Sequence, residues 1–386
     1  MTPLMYYSRI ESDGAQTADQ GGAMACEDSF ANYRLSYPDG KKSDHTWGGR
    51  LTKIAKTVPQ KTAFIQGERQ VNWREFERRV NRLAHGLLSL GLQKEDRAAI
   101  MGFNSIEWME SYFAVSRIGA VPVNVNPRFV APEIKHILED ADAKALLFEA
   151  EYQELAQSLQ PQLPLLKHLI AIRGKSSPGV TGYEELMAEH PETPPRLDWP
   201  VSNEDFAFLF YTGGTTGYPK GTVWDYDNRV RGLDAIMITA LKPLIKKLPD
   251  LPSTAFPALL STLPLPLSEG MIKSRPARWL FNHLADSERM DRLTMKMFGS
   301  TPNYRLAAGK MKLVVVAPLF HGTAYLTAFS MIGASAGTCI FLESRHPFDP
   351  AEFWRTVEKR KANLAVIVGD AFAIPMIEEL EGRDYD

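Results

Sequence analysis

From Tyr211 to Gly221 the chain reads Tyr-Thr-Gly-Gly-Thr-Thr-Gly-Tyr-Pro-Lys-Gly, a run of glycines and hydroxyls ending beside one lysine. Glycine removes Cβ, so backbone N–H groups can turn toward an anion and approach it closely. Thr212, Thr215 and Thr216 add hydroxyl donors, Gly213, Gly214 and Gly217 the backbone freedom, and Lys220 a mobile positive charge. Pro219 stiffens the exit just before that lysine. The chemistry is that of a polyphosphate clamp. A nucleotide P-loop would end Gly-Lys-Ser or Gly-Lys-Thr and run into a helix. Here Pro219 precedes Lys220 and Gly221 follows it, which argues against a kinase or ATPase of that type. An ordinary hairpin turn also uses Gly and Thr, but seldom gathers this many donors beside a lysine.

Two other short segments stand where ligands bind. His321, in Pro318-Leu319-Phe320-His321-Gly322, directly follows an apolar strand over residues 312–317. Gly369-Asp370-Ala371-Phe372-Ala373 follows a strand over 364–368 in the same way. Loops at the carboxyl ends of parallel strands form the ligand crevice of open α/β sheets. Each has a plainer alternative: His321 as a packed, hydrogen-bonded side chain, and Asp370 as a helix N-cap. Cys26 and Cys339 are far apart, and the eight histidines are scattered, so no metal-ligand spacing is present. No Gly-x-Ser-x-Gly elbow occurs, which argues against a hydrolase.

The elements that must hold these segments alternate between two periods. Residues 206–211 and 222–226 read as strands flanking the glycine-rich loop, with a helix start at Asp227 or Asn228. Upstream, Asn72 with Glu75 opens a helix whose apolar face is Phe76, Val80, Leu83, Leu87 and Leu90, closed by Gly91. A strand over 97–102 precedes a helix capped by Asn104 or Ser105. Strands at 121–125 and 145–148 then enclose a helix opened by Pro132. A second βα series comprises strands at 312–317, 338–342 and 364–368, with a helix capped by Asp349 and running to about Lys361. Residues 229–311, rich in proline, form an irregular, partly helical insertion between the two series. Alternation of this kind predicts an α/β fold with parallel sheets covered by helices. The charge runs Glu77-Arg78-Arg79 and Glu358-Lys359-Arg360-Lys361 read as solvated helix faces. Trp224 reads as core.

Size and composition set the frame. A chain of 386 residues exceeds the roughly 250–300 at which one core stops growing, so two subdomains are expected. Hydrophobic residues at 44% and a net charge of −2 describe a globular protein with no nucleic-acid partner. Unpaired thiols suit the reducing cytoplasm, and no apolar run is long enough for a transmembrane segment. Residues 1–45 are polar, lack a signal-peptide pattern and read as a disordered extension, with Met24 an alternative start. Oligomeric state is left open.

With these residues in view, the chain resembles the adenylate-forming enzymes: acyl-CoA synthetases, peptide-synthetase adenylation domains and beetle luciferases. The glycine-rich loop carries the resemblance, which covers residues 47–386, and Gly119-Ala120-Val121-Pro122-Val123 resembles a structural motif of the family. It implies two stacked βα-layered subdomains forming the large N-terminal domain of such an enzyme, over residues 46–386. It also implies an acid–thiol ligase using ATP, Mg2+ and CoA on a small-molecule acid. Thr212, Gly213, Gly214, Thr215, Thr216, Gly217 and Lys220 would hold the phosphates, with Thr216 a candidate magnesium contact. His321 would line the channel between acyl group and adenylate, as the candidate catalytic residue. Gly369, Asp370 and Ala371 would line the acyl pocket, in the form closest to enzymes of fatty or steroid side-chain acids. The family's adenine, ribose and hinge segments and its small C-terminal domain, with the lysine of the adenylation step, would lie beyond Asp386. The expectation is therefore a truncated N-terminal portion, and two readings stay open: part of an acyl-CoA synthetase, or a non-catalytic module that keeps nucleotide- and acyl-binding walls.

Overall fold

The computed structural model describes residues 6–7, 44–212, 218–227, 246–257, 260, 268–284, 303–344, 347–383 and 385. Among them the strands are β1 (Tyr6–Tyr7), β2 (Thr62–Gln66), β3 (Arg69–Asn72), β4 (Arg97–Met101), β5 (Val121–Val125), β6 (Ala143–Glu149), β7 (His168–Ile172), β8 (Thr181–Gly182), β9 (Phe206–Thr212), β10 (Lys220–Asp225), β11 (Lys312–Val315), β12 (Thr338–Phe341) and β13 (Leu364–Val366). They form two sheets, one in each of two compact units. The first unit comprises residues 1–48, 80–102 and 111–235; the second comprises 49–79, 103–110 and 236–386.

The first unit holds an eight-stranded sheet in the order β1-β10-β9-β5-β4-β6-β7-β8. From β9 through β8 every pairing is parallel, and β10 and β1 are added antiparallel at one edge. All five residues of β5 are buried, as a parallel strand covered on both faces requires. The core gathers Ala99, Val123, Leu146 and Phe148 from the strands and Ile134 and Ile137 from the helix Ala131–Asp140. Tyr112, on the helix Ile106–Arg117, is buried and donates its hydroxyl to the Ala207 carbonyl of β9 at 3.0 Å. Folded structure already includes His45, at the edge of the segment expected to be an extension. His45 is buried, its amide donates to Asn203 Oδ1 at 2.8 Å, and its Nδ1 lies 3.0 Å from Asp227 Oδ1.

The second unit is built on a five-stranded sheet in the order β13-β11-β12-β2-β3. It is parallel from β13 to β2 and closed by the antiparallel hairpin β2–β3. By sequence alone the two βα series are expected to be successive blocks of chain. The second sheet instead recruits β2 and β3 from far upstream, because β2 completes the row of parallel hydrogen bonds beside β12. Phe64 of β2 and Phe341 of β12 stack with ring centroids 6.0 Å apart, and Ile65, Val314, Ile340 and Phe353 form the adjacent core. Cys339, also in β12, is fully buried, and burial pushes its thiol well above the ordinary range.

Local signals explain most boundaries. Asn72 Oδ1 accepts from the Glu75 amide at 2.9 Å at the start of the helix Trp73–Ser89, and Gly91 takes φ +85° just past its end. Asp349 caps the helix Pro350–Arg360 through bonds from the Ala351 and Glu352 amides. Of the expected insertion, described residues form short helices, Glu269–Lys273 and Arg275–Leu284 among them, over a small cluster of Leu248, Phe256 and Ile272. Among the described residues no helix is long and apolar enough to cross a membrane.

The charge runs depart from expectation. Arg79 donates to the fully buried Glu110, from Nε at 2.6 Å and from the guanidinium end at 3.1 Å. Glu77 accepts from Thr52 Oγ1 at 2.8 Å. Arg360 reaches the Gly67 carbonyl at 2.5 Å, while Lys359 pairs with Glu68. A run of like-looking surface charges thus includes partners for the β2–β3 turn and for a buried carboxylate, neither of which is local in sequence.

Candidate functional site

The glycine-rich loop hangs from the hairpin of β9 and β10 in the first unit. Thr212 ends β9 and Lys220 begins β10, and the two are register partners, so the ladder brings both ends of the loop together. Lys220 therefore belongs to the strand, two residues before the expected start, and it is exposed. Trp224, expected in the core, is only half-buried and stacks on Phe208 across the hairpin. Gly213, Gly214, Thr215, Thr216 and Gly217 lie outside the described residues, as does Asn228; Asp227 lies in a helical turn with Tyr226.

Both loop ends are tied to one helix, and motif reading alone misses this. In Ala131–Asp140, His136 and Asp140 stand four residues apart, on one face. The Tyr211 hydroxyl donates to Asp140 Oδ2 at 2.6 Å. The His136 ring lies 4.7 Å from the ring of Tyr218, and its Nε2 sits 3.2 Å from the Pro219 carbonyl. Gly221, the register partner of Tyr211, makes room for that arrangement: a Cβ there would lie 3.0 Å from Leu209 Cδ1 and 3.1 Å from Tyr211 Cζ. The two aromatic residues framing the loop were the available signal, since a buried tyrosine hydroxyl needs a partner.

His321 and the segment Gly369-Asp370-Ala371 lie in the second unit, after the neighbouring parallel strands β11 and β13. Both segments thus sit at the carboxyl edge of the same sheet. His321 caps the helix Gly322–Ser335, its Nδ1 accepting from the Thr323 amide at 3.4 Å, and the side chain is exposed. Gly369, not Asp370, is the N-cap residue of the helix Asp370–Gly382. Its φ of +68° and ψ of −176° fall in a region essentially reserved for glycine. Asp370 is the first helical residue, where the helix dipole favours its carboxylate, and Gly369, Asp370 and Ala371 are all exposed. Phe372 instead packs into the core beside Phe348, with ring centroids 5.4 Å apart. No cluster of three or more His, Cys, Asp or Glu side chains able to hold a metal occurs among the described residues.

A parallel α/β sheet that presents a glycine- and threonine-rich loop from an antiparallel edge hairpin defines a class, and comparison with known proteins agrees. The profile of the AMP-binding enzyme family matches residues 51–265, and the chain belongs to that family. A medium/long-chain-fatty-acid–CoA/3-oxocholest-4-en-26-oate–CoA ligase of Mycobacterium tuberculosis is 27% identical over 336 residues, covering 85% of this chain and 51% of the ligase. A 3-oxocholest-4-en-26-oate–CoA ligase of Rhodococcus rhodochrous is 28% identical over 338 residues, with the same coverage. The chain spans about half the length of these curated relatives. In fold it is similar to a long-chain-fatty-acid–CoA ligase of Archaeoglobus fulgidus. The TM-score is 0.61 at 19% identity, covering 91% of this chain and 57% of that one.

Proposed function

We propose that the protein takes part in ATP-dependent activation of a hydrophobic carboxylic acid, of the fatty-acid or steroid side-chain kind, to its CoA thioester. The observation that carries this reading is the hairpin pairing Thr212 with Lys220, which closes a loop of glycines and threonines within the family's matched region. The names of the similar ligases support the choice of acid. In the first step a carboxylate oxygen attacks the α-phosphorus of ATP and pyrophosphate leaves, giving the acyl-adenylate. In the second the CoA thiol sulfur attacks the acyl carbon and AMP leaves. Repulsion between carboxylate and triphosphate dominates the first barrier, so preorganised donors at the phosphates are the device required. Thr212, Gly213, Gly214, Thr215, Thr216, Gly217 and Lys220 supply them in this reading; Thr216 would be the residue to contact Mg2+, which would offset phosphate charge. His321, Gly369, Asp370 and Ala371 face the acyl group.

The test is differential nucleotide binding. Lys220→Ala should weaken ATP by about 1.5–3 kcal/mol, the worth of a charge-assisted hydrogen bond, and AMP far less, because AMP lacks the outer phosphates. Equal calorimetric losses for the two nucleotides would remove Lys220 from the phosphate site.

A further inference from the structure

Asn104 and Ser105 are equally good caps by residue type, and the structure separates their tasks. Ser105 Oγ accepts from the Trp108 amide at 3.1 Å and so caps the helix Ile106–Arg117. The Asn104 side chain turns instead to the end of β11. Its Nδ2 donates to the Val315 and Ala317 carbonyls, both at 2.9 Å, and its Oδ1 accepts from the Leu319 amide at 2.7 Å. All four residues belong to the second unit.

These bonds fall where β11 stops being a strand. The Val316 and Ala317 amides both converge on the Val366 carbonyl, at 3.1 and 3.0 Å, so the regular ladder ends there. Backbone groups leaving a ladder need new partners, and one amide side chain meets three of them. Immediately beyond, the His321 amide donates to the Pro318 carbonyl at 2.9 Å, a turn that delivers His321 to the helix start. There Nδ1 accepts from the Thr323 amide, so the proton of the neutral ring sits on Nε2.

We propose that Asn104 is the positioning residue for His321, clamping the segment from Val315 to Leu319 so that the imidazole is presented in one orientation and one tautomer. The inference rests on the proposed ligase reading for its kinetic consequence, but not for its structural one. The experiment therefore has two arms. In histidine-labelled protein, the His321 ring resonances, identified by their loss in His321→Ala, report orientation and tautomer without any activity. Asn104→Ala should shift or broaden those resonances and leave the other seven histidines unchanged. In the kinetic arm, Asn104→Ala should lower kcat with the acid by about 10- to 100-fold, the scale of a misplaced group, with KM for ATP unchanged. The same change made on a His321→Ala background should cost less than about two-fold. Where the alanine variant fails to fold, Asn104→Ser, which keeps one donor, carries the comparison with smaller shifts in the same direction. Unmoved His321 resonances in a folded variant, or full additivity with His321→Ala, would overturn the proposal. Shifted resonances in a protein without ligase activity would uphold it and count against the functional reading alone.

Discussion

Tyr211→Phe isolates the anchor of the glycine-rich loop, because it deletes one hydroxyl and leaves the ring in place. The lost bond is the 2.6 Å contact to Asp140 Oδ2. Hydrogen bonds to charged groups contribute about 1.5–3 kcal/mol. Asp140 is half-exposed, so water partly replaces the donor, and a stability cost of about 1–2 kcal/mol is the figure to expect. The functional cost follows from preorganisation. In the proposed reading the loop holds ATP, so releasing its first anchor adds an ordering cost on binding; about 1 kcal/mol is a roughly five-fold loss of affinity. AMP, which makes no outer-phosphate contact, should change by less than about two-fold. Asp140→Asn keeps an acceptor for the hydroxyl and should fall between wild type and Tyr211→Phe. His136→Ala releases the other end, at the Pro219 carbonyl, and should weaken ATP binding independently. The assay is calorimetry with ATP and AMP beside urea unfolding of each variant. If Tyr211→Phe lowers the unfolding midpoint yet leaves ATP affinity intact, the helix Ala131–Asp140 supports the fold and has no part in ordering the loop.

Two further outcomes concern the second unit. Arg79→Met should destabilise by about 3–5 kcal/mol at neutral pH, because it strips the principal partner from a buried carboxylate. Burial already pushes the Glu110 carboxyl up, against the pull of Arg79 and Arg69. A raised carboxyl favours the folded state at low pH and loses that advantage as pH rises through the folded pKa. Without Arg79 the folded pKa climbs further, so the deficit relative to wild type should be small near pH 4 and grow with pH, by at most about 1.4 kcal/mol per unit. A deficit that does not vary with pH in urea titrations would mean packing, not charge, sets the cost. On the helix Asp370–Gly382, Ile374, Ile377 and Leu380 are 51%, 54% and 44% exposed and lie along one face. Ile377→Lys should raise the solubility limit of the 386-residue chain while changing unfolding free energy by less than about 0.5 kcal/mol. A loss above about 2 kcal/mol would show that this face is packed.

Much of this organisation was legible because it is written locally. The glycine-rich loop announces itself by donor density, the strand before it by an unbroken apolar run and the strand after it by alternation, and helix starts at Asn72, Ser105 and Asp349 by capping chemistry whose partners are two or three residues away. What escaped depends on partners distant in sequence. β2 is an unremarkable five-residue apolar strand until β12 lies beside it. Arg79 and Arg360 look like solvated charge until Glu110 and the Gly67 carbonyl are placed against them. Asp370 is as good a cap as any by type, but the positive φ of Gly369 moves the helix start one position upstream. Lys220 reads as a loop residue because proline precedes it, yet the pairing with Thr212 makes it the first rung of a strand.

The two candidate loops share a design that a motif cannot express. Each candidate segment begins at a strand end, and the described residues at its ends are held by side chains outside it. Donors aimed at developing charge must already be in place when the reaction begins, and a loop alone has too much conformational entropy to guarantee it. The helix Ala131–Asp140 supplies the fixture in the first unit, at both ends of the glycine-rich loop. Asn104 supplies it in the second, across the break in β11. Substitutions within a loop and at its fixture should therefore differ in kind. In the proposed reading, changing Lys220 removes an enthalpic contact with the phosphates, so its fold-loss in ATP affinity should shrink on warming. Changing Tyr211 leaves those contacts available but raises the entropic cost of ordering them, so its fold-loss in ATP affinity should stay nearly constant with temperature. Binding measured from 10 to 35 °C separates the two, and a Tyr211→Phe fold-loss that shrinks on warming as steeply as that of Lys220→Ala would refute the distinction.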